Sequence, residues 1–167
     1  ALPSTDSRIA IDLPVTPAFV FAALLWYPFV EEKTRLEAEG ASHLEANNEA
    51  AANVLAKQQL IISIPRRFSS PMREIWELQF RLPARHGRKP EALVAHKRFR
   101  AAYDFLLLRE QAGEKLDGLG DWWTRYQDSD ESQRQAMHQQ SKDTTPRRRS
   151  RRSRRKRNRG VGQDHAS

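Results

Sequence analysis

The sequence predicts an all-α fold, an irregular helical bundle followed by a disordered arginine-rich C-terminal tail. The main signal is the recurrence of apolar residues at helical spacing from Phe19 to Tyr126. Only Leu60-Ile-Ile-Ser-Ile64 has strand character, and a lone strand before Pro65 has nothing to pair with, so it reads as a connector. From Thr144 to Arg159 the chain has nothing to bury, and ten of the thirteen residues from 147 to 159 are Lys or Arg. Such a segment cannot offset its own ordering entropy.

The elements follow in order. Thr16 and Pro17 form an N-cap and first-turn pair. They open a helix through Trp26 that is apolar on all sides and is expected to be buried on all sides. Pro28 is expected to kink or restart it, with the continuation reaching Glu39 and stopping at Gly40. An alanine-rich helix is expected from Leu44 to Gln59. Ser70-Pro71 reads as the start of the most amphipathic helix, which Pro83 ends. Met72, Ile75, Trp76, Leu78, Phe80 and Leu82 share its apolar face, opposite Arg73, Glu74, Glu77 and Arg81. Residues 84–90 read as a loop, and helices follow over 90–96 and 97–112. Leu116 to Tyr126 is the last expected helix, and its Trp122 and Trp123 are assigned to the core rather than to base stacking. The organisation expected is a folded part over residues 1–127, a polar connector over 128–143 and the tail over 144–167.

The net charge of +8 is unevenly distributed. Residues 1–65 carry −4, residues 66–100 carry +7, residues 101–140 carry −4 and residues 141–167 carry +9. A nearly neutral body thus bears one basic band and ends in a basic arm. The longest apolar stretch, Pro17 to Val30, is too short to span a membrane, where about 20 residues are needed. No secretory leader follows Ala1, and a start without Met reads as a processed terminus or a fragment.

With no cysteine, disulfide scaffolds, thiolate metal sites and cysteine nucleophiles are excluded. The five histidines lack metal-ligand spacing, and no phosphate-binding glycine loop or nucleophile elbow is present, so no catalytic or metal residue is assigned. Asp128 and Asp130, at i and i+2, are read as helix capping by Asp128 with Glu131 rather than as a Mg²⁺ pair. The informative residues are cations. Arg66 and Arg67 follow Pro65; Arg85, Arg88 and Lys89 surround Gly87; Lys97, Arg98 and Arg100 open the next helix. Guanidinium forks beside helix starts suit phosphate. Arg73 and Arg81 flank Glu77 at i±4 and are set aside as helix-surface ion pairs. In the tail, Arg147, Arg148, Arg149, Arg151, Arg152, Arg154, Arg155, Lys156, Arg157 and Arg159 predict salt-dependent binding of a polyanion such as single-stranded RNA.

Several stretches together resemble the C-terminal helical region of bacterial poly(A) polymerases, within the nucleotidyltransferase superfamily. They are Val15 to Pro28, Ile64-Pro-Arg-Arg-Phe68, Arg73-Glu-Ile-Trp-Glu-Leu-Gln79, Phe99 to Arg109 and Asp121-Trp-Trp-Thr-Arg-Tyr-Gln127. The resemblance covers residues 14–127, the part from Ile64 to Arg109 being the most specific, while 40–59 carries no matching motif. It implies the RNA-binding part of a cytoplasmic bacterial enzyme that adds AMP from ATP to RNA 3′ ends with Mg²⁺. Its catalytic head, with a Gly-Ser and an Asp-x-Asp pair, is not in this sequence. No cofactor is then expected in this chain, which alone is expected to be inactive. The alternatives are a stand-alone RNA- or DNA-binding protein, a fragment of a CCA-adding enzyme, or a basic arm for a membrane surface or the nucleus.

Overall fold

A computed structural model describes residues 16–62 and 64–143. Among them are eight helices and no strand, so the fold is all-α as the periodicity predicts. They are α1 (Pro17–Leu24), α2 (Trp26–Ala38), α3 (His43–Gln59), α4 (Arg66–Arg81), α5 (Lys89–Val94), α6 (Phe99–Gln111), α7 (Leu119–Asp128) and α8 (Glu131–Asp143).

The helix ends follow local chemistry. Thr16 Oγ1 accepts the Phe19 amide, so the expected N-cap of α1 is in place. The break between α1 and α2 lies at Leu25 rather than at Pro28. A proline ring clashes with the carbonyl four residues back, here that of Leu24, and Pro28 itself sits in the first turn of α2, where its missing N–H costs no ladder bond. Gly40, at φ +100°, ends α2 with a left-handed residue: its amide donates to the Glu37 carbonyl and that of Ala41 to Leu36. Ser42 and Glu45 form a reciprocal capping box on α3. The Leu60–Ile62 run is a turn in which the amides of Ile61 and Ile62 both donate to the Gln58 carbonyl, and all three side chains are exposed.

Several boundaries differ from expectation. Helix α4 begins at Arg66, so Pro71 lies inside it. Proline is tolerated there because the Arg67 carbonyl it leaves unpaired belongs to an exposed residue that water can reach. Helix α5 starts at Lys89, one residue before the expected Pro90, and α7 starts at Leu119 rather than Leu116, after two left-handed residues, Asp117 and Gly118. The polar stretch after residue 128 forms α8, whose cap is Asp130, not Asp128: Asp130 Oδ1 accepts the Gln133 amide, and Gln133 Oε1 accepts the Asp130 amide. Residues 144–167, with all the tail candidates, lie outside the described residues.

Two apolar clusters share α4 as their spine. Its Met72, Ile75 and Trp76 join α1, α2, α3 and Phe105, while Leu78 and Leu82 join α5, α6 and α7. Trp76 stacks on Phe29 at 4.4 Å and donates its indole N–H to the Ala22 carbonyl at 2.9 Å. Trp122 and Trp123 are buried as expected, and Trp123 donates to the Leu82 carbonyl at 3.1 Å. Gln79, at the junction of the clusters, donates to Ala102 O and accepts from Arg109. Helix α1 is not buried all round: Leu24 and, just beyond it, Tyr27 are 60% and 61% exposed.

Candidate nucleic-acid interface

The basic band is built around α4. Arg66, Arg73 and Arg81 stand at i, i+7 and i+15, so one exposed stripe runs the length of this helix, about 22 Å at 1.5 Å per residue. At its N-terminal end Arg66 and Arg67 are exposed, with the Arg67 guanidinium over the Phe68 ring at 4.9 Å. No side chain caps this end, and its first turn contains no acid. Both features leave the positive end of the helix dipole open to an anion.

In the middle, Glu74 receives Lys97 and Arg98, each at 3.2 Å. Burial pushes the Glu74 carboxyl upward, but these two cations outweigh it and hold it below the usual carboxylate range. Arg100 turns away to Asp104 at 3.2 Å and lies over the Tyr103 ring. At the C-terminal end Arg81 pairs with Glu77 at 3.4 Å. Beyond it, Arg88 and Lys89 are exposed and Arg85 is half-buried, around a Gly87 at φ +65° that lets the chain reverse. Lys89 Nζ lies 3.5 Å from His86 Nε2.

Among the described residues, Arg66, Arg67, Arg73, Arg85, Arg88 and Lys89 have no carboxylate within 4.0 Å, whereas Lys97, Arg98 and Arg100 each have one. The eight described candidates therefore divide into cations without a carboxylate partner towards the two ends of α4 and paired cations between them. Arg73, set aside from sequence as a partner of Glu77, joins the free set, because Glu77 is held by Arg81 instead. The i±4 rule names both partners and cannot choose between them.

Helix α3 runs antiparallel beside this stripe. His43, its first residue, meets Phe80 near the end of α4, with ring centroids 5.4 Å apart. Between the two helices lies an open groove of about 570 Å³, lined from α3 by Asn47, Asn48, Ala51, Ala52 and Gln59 and from α4 by Arg66, Ser69, Ser70, Arg73, Glu74 and Glu77. Sequence reasoning missed this wall, since an alanine-rich helix carries no chemical motif.

Asp128 ends α7, and the Asp130 carboxylate is engaged in capping α8. These two carboxylates therefore do not fit a paired Mg²⁺ site. Among the described residues no three His, Asp or Glu side chains converge as metal ligands, and no helix is long and apolar enough to cross a membrane.

Comparison with known proteins agrees with the motif resemblance. A family model described as "Polymerase A arginine-rich C-terminus" matches residues 39–158, which includes the alanine-rich helix and most of the basic arm. Similar relatives include the poly(A) polymerase I of Escherichia coli O157:H7, 37% identical over 165 residues, covering 96% of this chain and 36% of the relative. That of Salmonella typhi is 36% identical with the same coverage. The Haemophilus influenzae protein is 38% identical over 149 residues, 87% of this chain and 33% of its own length. The chain thus spans about a third of the length of the curated relatives it matches. With a family model matched over residues 39–158, the chain belongs to the polymerase A arginine-rich C-terminus family.

Proposed function

We propose that this chain is the RNA-binding C-terminal part of a bacterial poly(A) polymerase. In this reading the α4 stripe and the arginine arm bring RNA 3′ ends to a nucleotidyl-transferring head on polypeptide outside this sequence. The observation that carries it is the set of unpaired cations at both ends of α4 in a chain aligned to poly(A) polymerase I. ATP and Mg²⁺ belong to the head. No step of AMP transfer is assigned to the residues described here.

The division of labour is electrostatic. The arm raises the local RNA concentration, and Arg66, Arg67, Arg73, Arg85, Arg88 and Lys89 give the strand fixed phosphate contacts. Titrating the chain with single-stranded RNA across a salt series tests this. Deleting residues 144–167 is expected to weaken binding and flatten log K against log salt, by about 0.7 for each phosphate that the arm neutralises. In the shortened chain, changing Arg85, Arg88 and Lys89 together to Ala is expected to weaken binding further. An unchanged slope after the deletion would remove the arm from the reading, and an inert triple variant would leave the loop as plain surface charge. AMP addition by the isolated chain would contradict the placement of the chemistry elsewhere.

A further inference from the structure

We infer that the α3–α4 groove is a seat for one nucleoside phosphate unit. This deepens the RNA-binding reading and rests on it. The volume of about 570 Å³ falls in the range of small-ligand pockets, and the two walls have different chemistry. On the α4 side, Arg66 and Arg73 are free cations flanking Ser69 beside the uncapped helix start. The two carboxylates on that wall are already claimed, Glu74 by Lys97 and Arg98, and Glu77 by Arg81, so the field over the groove favours an anion. On the α3 side, Ala52 and Ala56 are exposed and carry no long side chain, leaving a step on which a flat ring can lie.

The second pointer is Asn47. It lines the groove and is only 9% exposed, yet its Oδ1 is buried and has no hydrogen-bond partner. A buried acceptor without a donor is costly and rare. The other end of the amide, the Asn47 NH₂, has no hydrogen-bond partner among the described residues and is not sealed off, so it is available to donate to a ligand in the groove. An adenine edge offers such an acceptor on a flat ring.

The test uses the full chain and a 12-nucleotide oligoadenylate carrying one 8-azidoadenosine, photocrosslinked and mapped by mass spectrometry. Crosslinks are expected on peptides from residues 43–59 and 66–81. Ala52→Leu fills the step without changing charge and is expected to lower their yield at least about fivefold while the thermal midpoint holds. As a second variant, Arg66→Gln with Arg73→Gln is expected to reduce the salt slope of oligoadenylate binding by about 0.7, the value for one single-strand phosphate contact. Competition by AMP would identify a free nucleotide as an occupant, and competition only by oligoadenylate would identify a strand; both support the seat. Equal displacement by an oligoglutamate of the same charge would overturn the nucleotide assignment in favour of an acidic protein. Crosslinks confined to the 85–89 loop and the arm would overturn the groove while leaving RNA binding standing. Absence of any RNA binding would overturn the reading beneath it.

Discussion

Trp76 joins three helices through one side chain. Its ring stacks on Phe29 of α2, its N–H closes on the Ala22 carbonyl of α1, and its backbone lies midway along α4. Trp76→Phe keeps an aromatic ring but leaves that carbonyl unpaired and a void where the larger ring was. The expected loss is about 2–4 kcal/mol in urea unfolding, combining the orphaned acceptor and the cavity. Gly120 is a second position where one atom decides. A Cβ there would lie 2.1 Å from Glu110 Oε2 and 2.7 Å from Leu107 Cδ2. Gly120→Ala gains about 1 kcal/mol of helix propensity but meets an overpacking cost of about 1–3 kcal/mol, so the clash wins. A lowered thermal midpoint is the expected reading, and an unchanged one would show that Glu110 swings clear without penalty. The periodic pattern marks Trp76 as core but gives no hint of Gly120, because the residues that crowd it, Leu107 and Glu110, are distant in sequence.

Elements were legible where a capping residue and an apolar stripe agree. Thr16, Gly40 and the buried face of α4 all stand where the pattern places them. The boundaries misplaced at proline share a cause: proline marks a helix start only when nothing upstream can be helical. Pro71 is the sixth residue of α4, because Arg66 to Ser70 are free to form a turn ahead of it. Helix α8 escaped because its only partly buried apolar side chain is Met137; Arg134 instead holds it to α7 by bonding the Tyr126 and Gln127 carbonyls. For the candidate site, residue types were readable and pairing was not. Glu74 is 23 and 24 residues from the two cations it binds, Lys97 and Arg98. Ser42 gives the element scale its prediction. Its hydroxyl accepts the Glu45 amide, and Glu45 returns the bond to the Ser42 backbone. Ser42→Ala is expected to cost about 1 kcal/mol, with faster amide exchange in the first turn of α3 but not in α6.

At the scale of the whole molecule, charge pairing couples stability to pH. Arg35 and Asn53 hydrogen-bond Glu32 and hold its carboxyl at about 2, below its ordinary 4.5. Lys33 lowers Glu37, the Ser42 cap lowers Glu45, and Lys97 with Arg98 overcome burial to lower Glu74. A carboxylate with a depressed folded-state pKa stabilises the native state fully above its unfolded pKa, and loses that contribution as pH falls through the folded value. All four shifts share this sign. Stability is therefore expected to be level from pH 7 to about 5 and to fall steadily between about 4.5 and 2. Glu32→Gln removes one proton uptake, so its melting temperature should start lower at pH 7 and decline less steeply on acidification. Equal acid slopes for the variant and the parent would show that Glu32 is not ion-paired in solution. Glu74→Gln separates this stabilising network from binding. It leaves Lys97 and Arg98 without their carboxylate on the α4 stripe, so at pH 7 the chain should be less stable and yet bind single-stranded RNA more tightly, with a salt slope steeper by about 0.7 for each of the two cations that takes a phosphate. Reduced affinity in that variant would mean that the clamp on Lys97 and Arg98 shapes the surface the strand uses, rather than merely masking its charge.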